Sequence, residues 1–293
     1  MSAQVALSDG NRGWPIAASR MLKVGRLSWH VKQLGAGPQL VLLHGTGASS
    51  HSWRDVAPLL ATRFSVTVPD LPGHGLTSTP AFEDFSLPAM ARALHGLLCA
   101  LQVRPAIAVG HSAGAAVLVR MSLDGDLCPK LIVAVNGALL PLRGLPGRIF
   151  APVAKVLARS RMVPRALART VDTKAIERLL ADTGSRLDAC GVALYRELAK
   201  RPSHVAAALS MMANWELHSL VRELPQLSVP LTLLSASGDR SIAPEQALRV
   251  RALVPSAQII TLNGLGHLAH EEKPQDVASI LVRLATQAGV LAP

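Results

Sequence analysis

Short apolar runs, nearly free of polar residues and rich in Val, Ile and Leu, recur along the chain at Gln39–Leu43, Phe64–Val68, Ala106–Val109, Leu131–Val135, Leu231–Leu234 and Gln258–Leu262. Runs this short, without alternation, predict strands buried on both faces, as in a parallel sheet covered by helices. Between them the apolar positions shift to a helical period, predicting helices over Ser52–Ala61, Ser86–Leu101, Ala113–Leu123, Pro244–Leu253 and Pro274–Ala288. Pro244 and Pro274 suit the first turn, where the missing N–H costs nothing. Arg26–Val31 predicts an antiparallel edge strand upstream. Strands alternating with helices predict an α/β fold with a mostly parallel sheet.

One interval breaks the alternation. From Ala138 to Pro225 the period is helical throughout, punctuated by Pro141, Pro146, Pro152, Pro164 and Pro202, with no strand signal. It lies between two predicted strands and reads as a helical cap, 138–225, inserted into a core formed by 1–137 and 226–293. Ligands of open α/β sheets bind outside the carboxyl ends of the strands, where such a cap would sit.

Composition narrows the function. Hydrophobic residues make up 49% of the 293 positions and charged ones 17%, which excludes a disordered chain. Cys99, Cys128 and Cys190 are widely spaced and odd in number, which predicts a reducing compartment and neither a disulfide scaffold nor a metal-ligand pattern. The first residues, MSAQVALSDGNRGWP, lack a basic segment followed by an apolar one, and no stretch reaches roughly 18 apolar residues. The expected location is cytoplasmic, with peripheral membrane contact as the alternative. The net charge of +11 invites a nucleic-acid reading, but aromatics are only 3%, too few for stacking platforms. No nucleic-acid partner is expected. The segment 138–225 carries fourteen Lys and Arg against seven Asp and Glu. That excess reads as a solvated surface or as attraction to an anionic lipid or acidic partner.

Gly110-His111-Ser112-Ala113-Gly114 follows a predicted strand and opens a predicted helix. This is the nucleophile-elbow pattern in its required setting. A tight turn strains the central residue and demands small neighbours, and it lifts the Ser112 hydroxyl to a helix N-terminus that favours a developing oxyanion. His44-Gly45-Thr46-Gly47 follows the strand at Gln39–Leu43, so the N–H groups of Thr46 and Ala113 form the expected oxyanion hole, with Gly47 as a substitute for Thr46. A serine needs a base, and the base an acid, in the chain order Ser, Asp or Glu, His. Asp239 and His267 each lie one short loop beyond a predicted strand, as Ser112 does. His270 is the competing base. His267 is preferred because Gly264 and Gly266 would let its loop approach the elbow, whereas His270 reads as the start of a helix. Asp70 reads as a turn and capping residue, with an acid role as the alternative. His51, Trp53, His74 and His111 are candidates for lining the pocket or for packing. No cofactor and no metal is required by this chemistry.

Taken in order, HGTG, DLPGHG, GHSAG, the Asp239 loop and GLGHLAHEEKP resemble the α/β-hydrolase superfamily over nearly the whole chain. Serine at the elbow argues against its dehalogenase and epoxide-hydrolase branches, which use a carboxylate. The stretches HGTGASSHSWRDVAPLL, GHSAGAA, NGALLPLRGLPG, ADTGSRLD and MMANWEL resemble, more narrowly, the magnesium-chelatase accessory proteins of bacteriochlorophyll synthesis (the BchO family). That resemblance implies a phototrophic bacterium, a small-molecule ligand of tetrapyrrole type and magnesium-chelatase subunits as partners. Arg143, Arg148, Lys155, Arg159, Arg161, Arg165 and Arg169 alternate with apolar residues, a surface suited to propionates or an anionic membrane or simply to solvent. Met211, Met212 and Trp215 would form either an adaptable wall against a flat ligand or cap core. The leading expectation is ester-type hydrolysis by Ser112, His267 and Asp239. The rivals are a non-catalytic tetrapyrrole carrier and an esterase or carbon–carbon hydrolase outside that pathway.

Overall fold

A computed structural model describes residues 18–141, 160 and 162–292, with only the backbone of 82 and 83. Eight strands form one sheet: β1 (Ser19–Val24), β2 (Leu27–Leu34), β3 (Gln39–Leu43), β4 (Ser65–Pro69), β5 (Ile107–His111), β6 (Leu131–Val135), β7 (Leu231–Ala236) and β8 (Gln258–Leu262). Their spatial order is β1-β2-β4-β3-β5-β6-β7-β8. β2 runs antiparallel to both of its neighbours, and every pairing from β4 to β8 is parallel.

The apolar runs of β3 to β7 form strands with both faces covered, whereas β8, at the edge, is only partly buried. Leu40 and Leu42 of β3 enter one core, with Val56 and Leu60 of α1 (Val56–Leu60) and with Val277, Leu281 and Leu284 of a C-terminal helix, Pro274–Gln287. Val41 and Leu43 enter the other, with α2 (Leu87–Ala100) and α3 (Ala113–Leu123). The pleat thus divides a continuous apolar run between two cores.

The first correction concerns the sheet edge. The strand expected at Arg26–Val31 is antiparallel and spans Leu27–Leu34, but it is not the edge, because β1 pairs along its outer side. β1 (SRMLKV) is mostly exposed, so it carries no apolar run to reveal it. The second concerns the helix expected over Ser52–Ala61. It is split into a 3-10 turn, Ser50–Trp53, and the short α1.

Between β6 and β7 the described residues form five helices: α4 (Val163–Thr170), α5 (Thr173–Asp182), α6 (Ala189–Ala199), α7 (Pro202–Asn214) and α8 (His218–Glu223). Asp172 and Asp188 cap α5 and α6, accepting from the Ala175 and Gly191 N–H groups at 2.7 Å. This segment bonds to loops that follow β3, β4, β7 and β8, as at His204–Gly47, Gly75–His204, Arg240–Thr183 and Leu268–Ser185. Met211 is fully buried and Trp215 packs beside it in the core shared with α2 and α3. Arg165 and Arg169 are exposed on α4, while Arg143, Arg148, Lys155, Arg159 and Arg161 lie outside the described residues. Among the described residues no helix is long and apolar enough to cross a membrane.

Candidate active site

Ser112 sits between the end of β5 and the start of α3 with φ +51° and ψ −119°, a conformation that L-residues rarely adopt. Two glycines make it feasible. A Cβ at Gly110 would lie 2.5 Å from the Ala115 backbone, and one at Gly114 would lie 2.5 Å from the carbonyl oxygens of Leu43 and His44. The Ser112 N–H donates to the Val135 carbonyl at 3.0 Å, and the Ser112 carbonyl accepts from Ala138 N–H at 3.0 Å, so the end of β6 and the loop after it clamp the turn. Ser112 itself remains half-buried. Ala113, the next residue, opens α3, and the first N–H groups of a helix have no intrahelical acceptor.

Asp239 and His267 meet, though they follow different strands. His267 Nδ1–H donates to Asp239 Oδ2 at 2.8 Å. The other carboxylate oxygen accepts from the Ser241 and Ile242 N–H groups at 2.7 and 2.8 Å, which fixes the plane of the carboxylate. His267 is packed beside the elbow. Its ring centroid is 4.6 Å from that of His111, and its carbonyl accepts from His111 Nε2–H at 3.0 Å. Among the described residues the Ser112 hydroxyl forms no hydrogen bond with His267 Nε2. Such bonds commonly tighten only in the substrate complex.

The loop after β3 reaches Ser112 from the other side. A Cβ at Gly45 would stand 2.9 Å from that of Ser112. The peptide joining Gly45 to Thr46 is oriented through its carbonyl, which accepts from His44 Nδ1–H at 2.8 Å and from Ala48 N–H at 3.3 Å. His44 Nε2 accepts from Leu71 N–H at 2.9 Å, tying this loop to the one after β4. Burial keeps His44 neutral by pushing its pKa down. Thr46 Oγ1–H points to Met211 Sδ of α7 at 3.3 Å.

The rivals have other duties. His270 is completely buried, its ring 4.3 Å from Trp53 and 4.5 Å from His111, and among the described residues neither of its nitrogens has a hydrogen-bond partner. Asp70 bonds His30 Nδ1 at 2.7 Å and the N–H groups of Ser50 and Leu76. Burial alone would raise its pKa, but these bonds, led by His30, hold it well below the carboxylate range. It braces two loops and does not touch His267. Trp53, His74 and His111 are buried and packed, whereas His51 is half-buried with its ring edge-on to Tyr195. The glycines near His267 also act differently from expectation. Gly264 takes φ +73° in a turn, and a Cβ at Gly266 would meet the backbone of Gly184, not the elbow, at 2.3 Å.

Two residues that sequence patterns did not single out hold the site together. Asn136 Nδ2 donates to the Gly266 and His267 carbonyls at 3.1 and 2.8 Å, while Oδ1 accepts from Ala236 N–H at 2.8 Å. His204 of α7 donates through Nε2–H to the Gly47 carbonyl at 3.1 Å and accepts from Gly75 N–H at 3.2 Å.

The sheet order and the strained serine between a strand and a helix are those of the alpha/beta hydrolases. The family model for them matches residues 40–280, and the chain belongs to that family. Within it, the chain is 37% identical to the magnesium-chelatase 30 kDa subunit of Rhodobacter capsulatus over 92% of its own length and 95% of that protein's. It is also 27% identical to the sn-1-specific diacylglycerol lipase of Mus musculus, over 82% of this chain and 78% of the lipase. A crystal structure of an alpha/beta hydrolase fold protein from Burkholderia ambifaria superimposes with a TM-score of 0.73 at 25% identity, covering 90% of this chain and 99% of that one.

Proposed function

We propose that the protein is a serine hydrolase that cleaves a carboxylic-ester-type bond. Ser112 Oγ attacks the substrate carbonyl while His267 Nε2 takes the hydroxyl proton and returns it to the leaving group. Asp239 holds the imidazole in the tautomer that leaves Nε2 free to accept. The N–H groups of Thr46 and Ala113 receive the oxyanion, and water then releases the acyl group along the same relay. The helices of 138–225 act as a cap over the core of 1–137 and 226–293. The observation that carries this reading is the 2.8 Å His267–Asp239 bond, with the His267 ring packed on His111, next to a serine held at φ +51°.

Ser112→Ala tests it. The variant should lose fluorophosphonate labelling and at least about 10⁴-fold of turnover on p-nitrophenyl butyrate. A folded wild-type protein that takes up no label would overturn the reading.

The similarity to a magnesium-chelatase subunit supports a tetrapyrrole as the small-molecule ligand and the chelatase subunits as partners, in the cytoplasm and with exposed Arg169 of α4 facing an anionic membrane as the peripheral alternative. It also favours a second reading, a carrier that presents the tetrapyrrole and does not use Ser112 chemically. Adding wild-type protein or Ser112→Ala to a chelatase assay separates the two. Equal stimulation by both would select the carrier.

A further inference from the structure

The stretch Ala181–Asp188 (ADTGSRLD) lies in the inserted helices, not in the core, yet its central turn touches both loops of the acid–base pair. The Thr183 carbonyl accepts from Arg240 N–H at 3.1 Å and from His267 N–H at 3.3 Å. One oxygen therefore joins the residue after the acid to the base itself. Ser185, buried, accepts through Oγ from Leu268 N–H at 2.8 Å, on the other side of His267. Leu268 in turn packs into a small apolar core made by Ile176, Leu180 and Val192 of α5 and α6.

Between these bonds three glycines meet backbone to backbone. A Cβ at Gly184 would stand 2.0 Å from the Gly238 carbonyl oxygen, and one at Gly266 would stand 2.3 Å from the Gly184 backbone. Gly238 N–H donates to the Leu265 carbonyl at 2.8 Å, closing the contact between the acid and base loops. Gly184 is also committed by its own helix. It ends α5 at φ +84°, with its N–H on the Ala181 carbonyl and the Ser185 N–H on the Leu180 carbonyl, a Schellman termination. The α5 terminus is thereby aimed into the joint.

We propose that the Thr183-Gly184-Ser185 turn is a positioning element of the Asp239–His267 pair, supplied by the inserted segment, so that the relay is assembled only when this segment is docked. The inference rests on the hydrolase reading above. It makes the segment a structural part of the relay, beyond its role as a cover.

The test uses the full chain with p-nitrophenyl butyrate and a fluorophosphonate. Ser185→Ala removes one acceptor and should lower kcat/KM about 10-fold, and Ser185→Thr, which keeps the hydroxyl, should recover most of it. Gly184→Ala forces the joint apart and should cost about 10²-fold, the scale of a misplacement near 1 Å. In both weakened variants the loss should fall on kcat, with KM within about two-fold. Wild-type rates in Ser185→Ala would overturn the inference while leaving the hydrolase reading intact, and so would a loss confined to KM. Failure of Gly184→Ala to fold would leave the decision to the Ser185 pair. An unreactive wild-type protein would overturn the hydrolase reading instead.

Discussion

Asn136 holds φ +46° just after β6, and its side chain makes three buried bonds, one to the end of β7 about 100 residues away and two to the loop after β8 about 130 residues away. Asn136→Ala would leave the Ala236 N–H and the Gly266 carbonyl without partners, at about 1–3 kcal/mol per buried group. Asn also tolerates the left-handed conformation better than Ala, so the backbone adds to the loss in the same direction. Urea unfolding should therefore show a loss on the order of 3 kcal/mol, and fluorophosphonate labelling should slow together with it. An unchanged midpoint would remove Asn136 from the frame of the site. The contrast with Ser112 explains what could be read beforehand. The elbow's demands are local, so small residues at fixed offsets announce it. Asp239 and His267 were legible from their places beyond strands. A lone Asn after an apolar run looks like any turn residue, and its partners come from loops that only folding brings near. Gly266 reads as clearance for the elbow but makes room for the inserted turn, which has no signature at that distance in the sequence, and Gly264 serves only a turn.

At the scale of elements, α7 shows how a helix can be anchored by one face. His204, Ala207 and Met211 recur at helical spacing and touch the loops after β3 and β4: His204 bonds Gly47 and Gly75, Ala207 fills the space that a side chain at Gly73 would need, and Met211 receives the Thr46 hydroxyl. Burial pushes the His204 pKa down to about 4, so near neutrality its imidazole has one nitrogen to donate and one to accept, as this docking requires. His204→Ala should cost about 1–3 kcal/mol by stranding both loop groups. It should also speed hydrogen exchange in residues 45–50 and 72–78 relative to the sheet, as mass spectrometry can resolve. Exchange equal to wild type would show that α7 is held by packing alone. The strands of the parallel sheet were legible because burial on both faces leaves a continuous apolar run. β1 was not, since an edge strand that sets only Leu22 and Val24 against the core need carry no such run. The split between the 3-10 turn and α1 was hidden because Trp53 and Val56 serve the same core despite the change of helix type.

For the molecule as a whole, the inserted helices and the sheet share buried polar ties, and these set how folding responds to pH. His44, His51, His74, His111, His204 and His270 are all pushed below the ordinary imidazole value, in each case first by burial. Unfolded imidazoles take up protons near pH 6.5, while the folded ones do not until lower pH. The stability they contribute is complete above about 6.5 and is lost as pH falls toward their folded values, which for His204 is about 4. Glu271 pulls the other way. It accepts from Tyr195 of α6 at 2.7 Å and from Arg54 at 2.5 Å, and burial pushes its pKa up to about 7 against both partners. Its contribution is complete below the ordinary carboxyl value and is lost as pH rises through 7. Six imidazoles outweigh one carboxyl, and each net proton steepens the dependence by about 1.4 kcal/mol per pH unit. The formal charge of +11 grows as pH falls and adds self-repulsion in the same direction. Tm measured by circular dichroism should therefore be lower at pH 5.0 than at pH 7.5 by at least about 5 °C. The drop should shrink when any of the six is replaced by a neutral residue of similar size. A flat profile across that window would mean that the folded imidazoles take up protons as readily as unfolded ones, which the paired nitrogens of His44 and His204 do not permit without breaking the ties between loops.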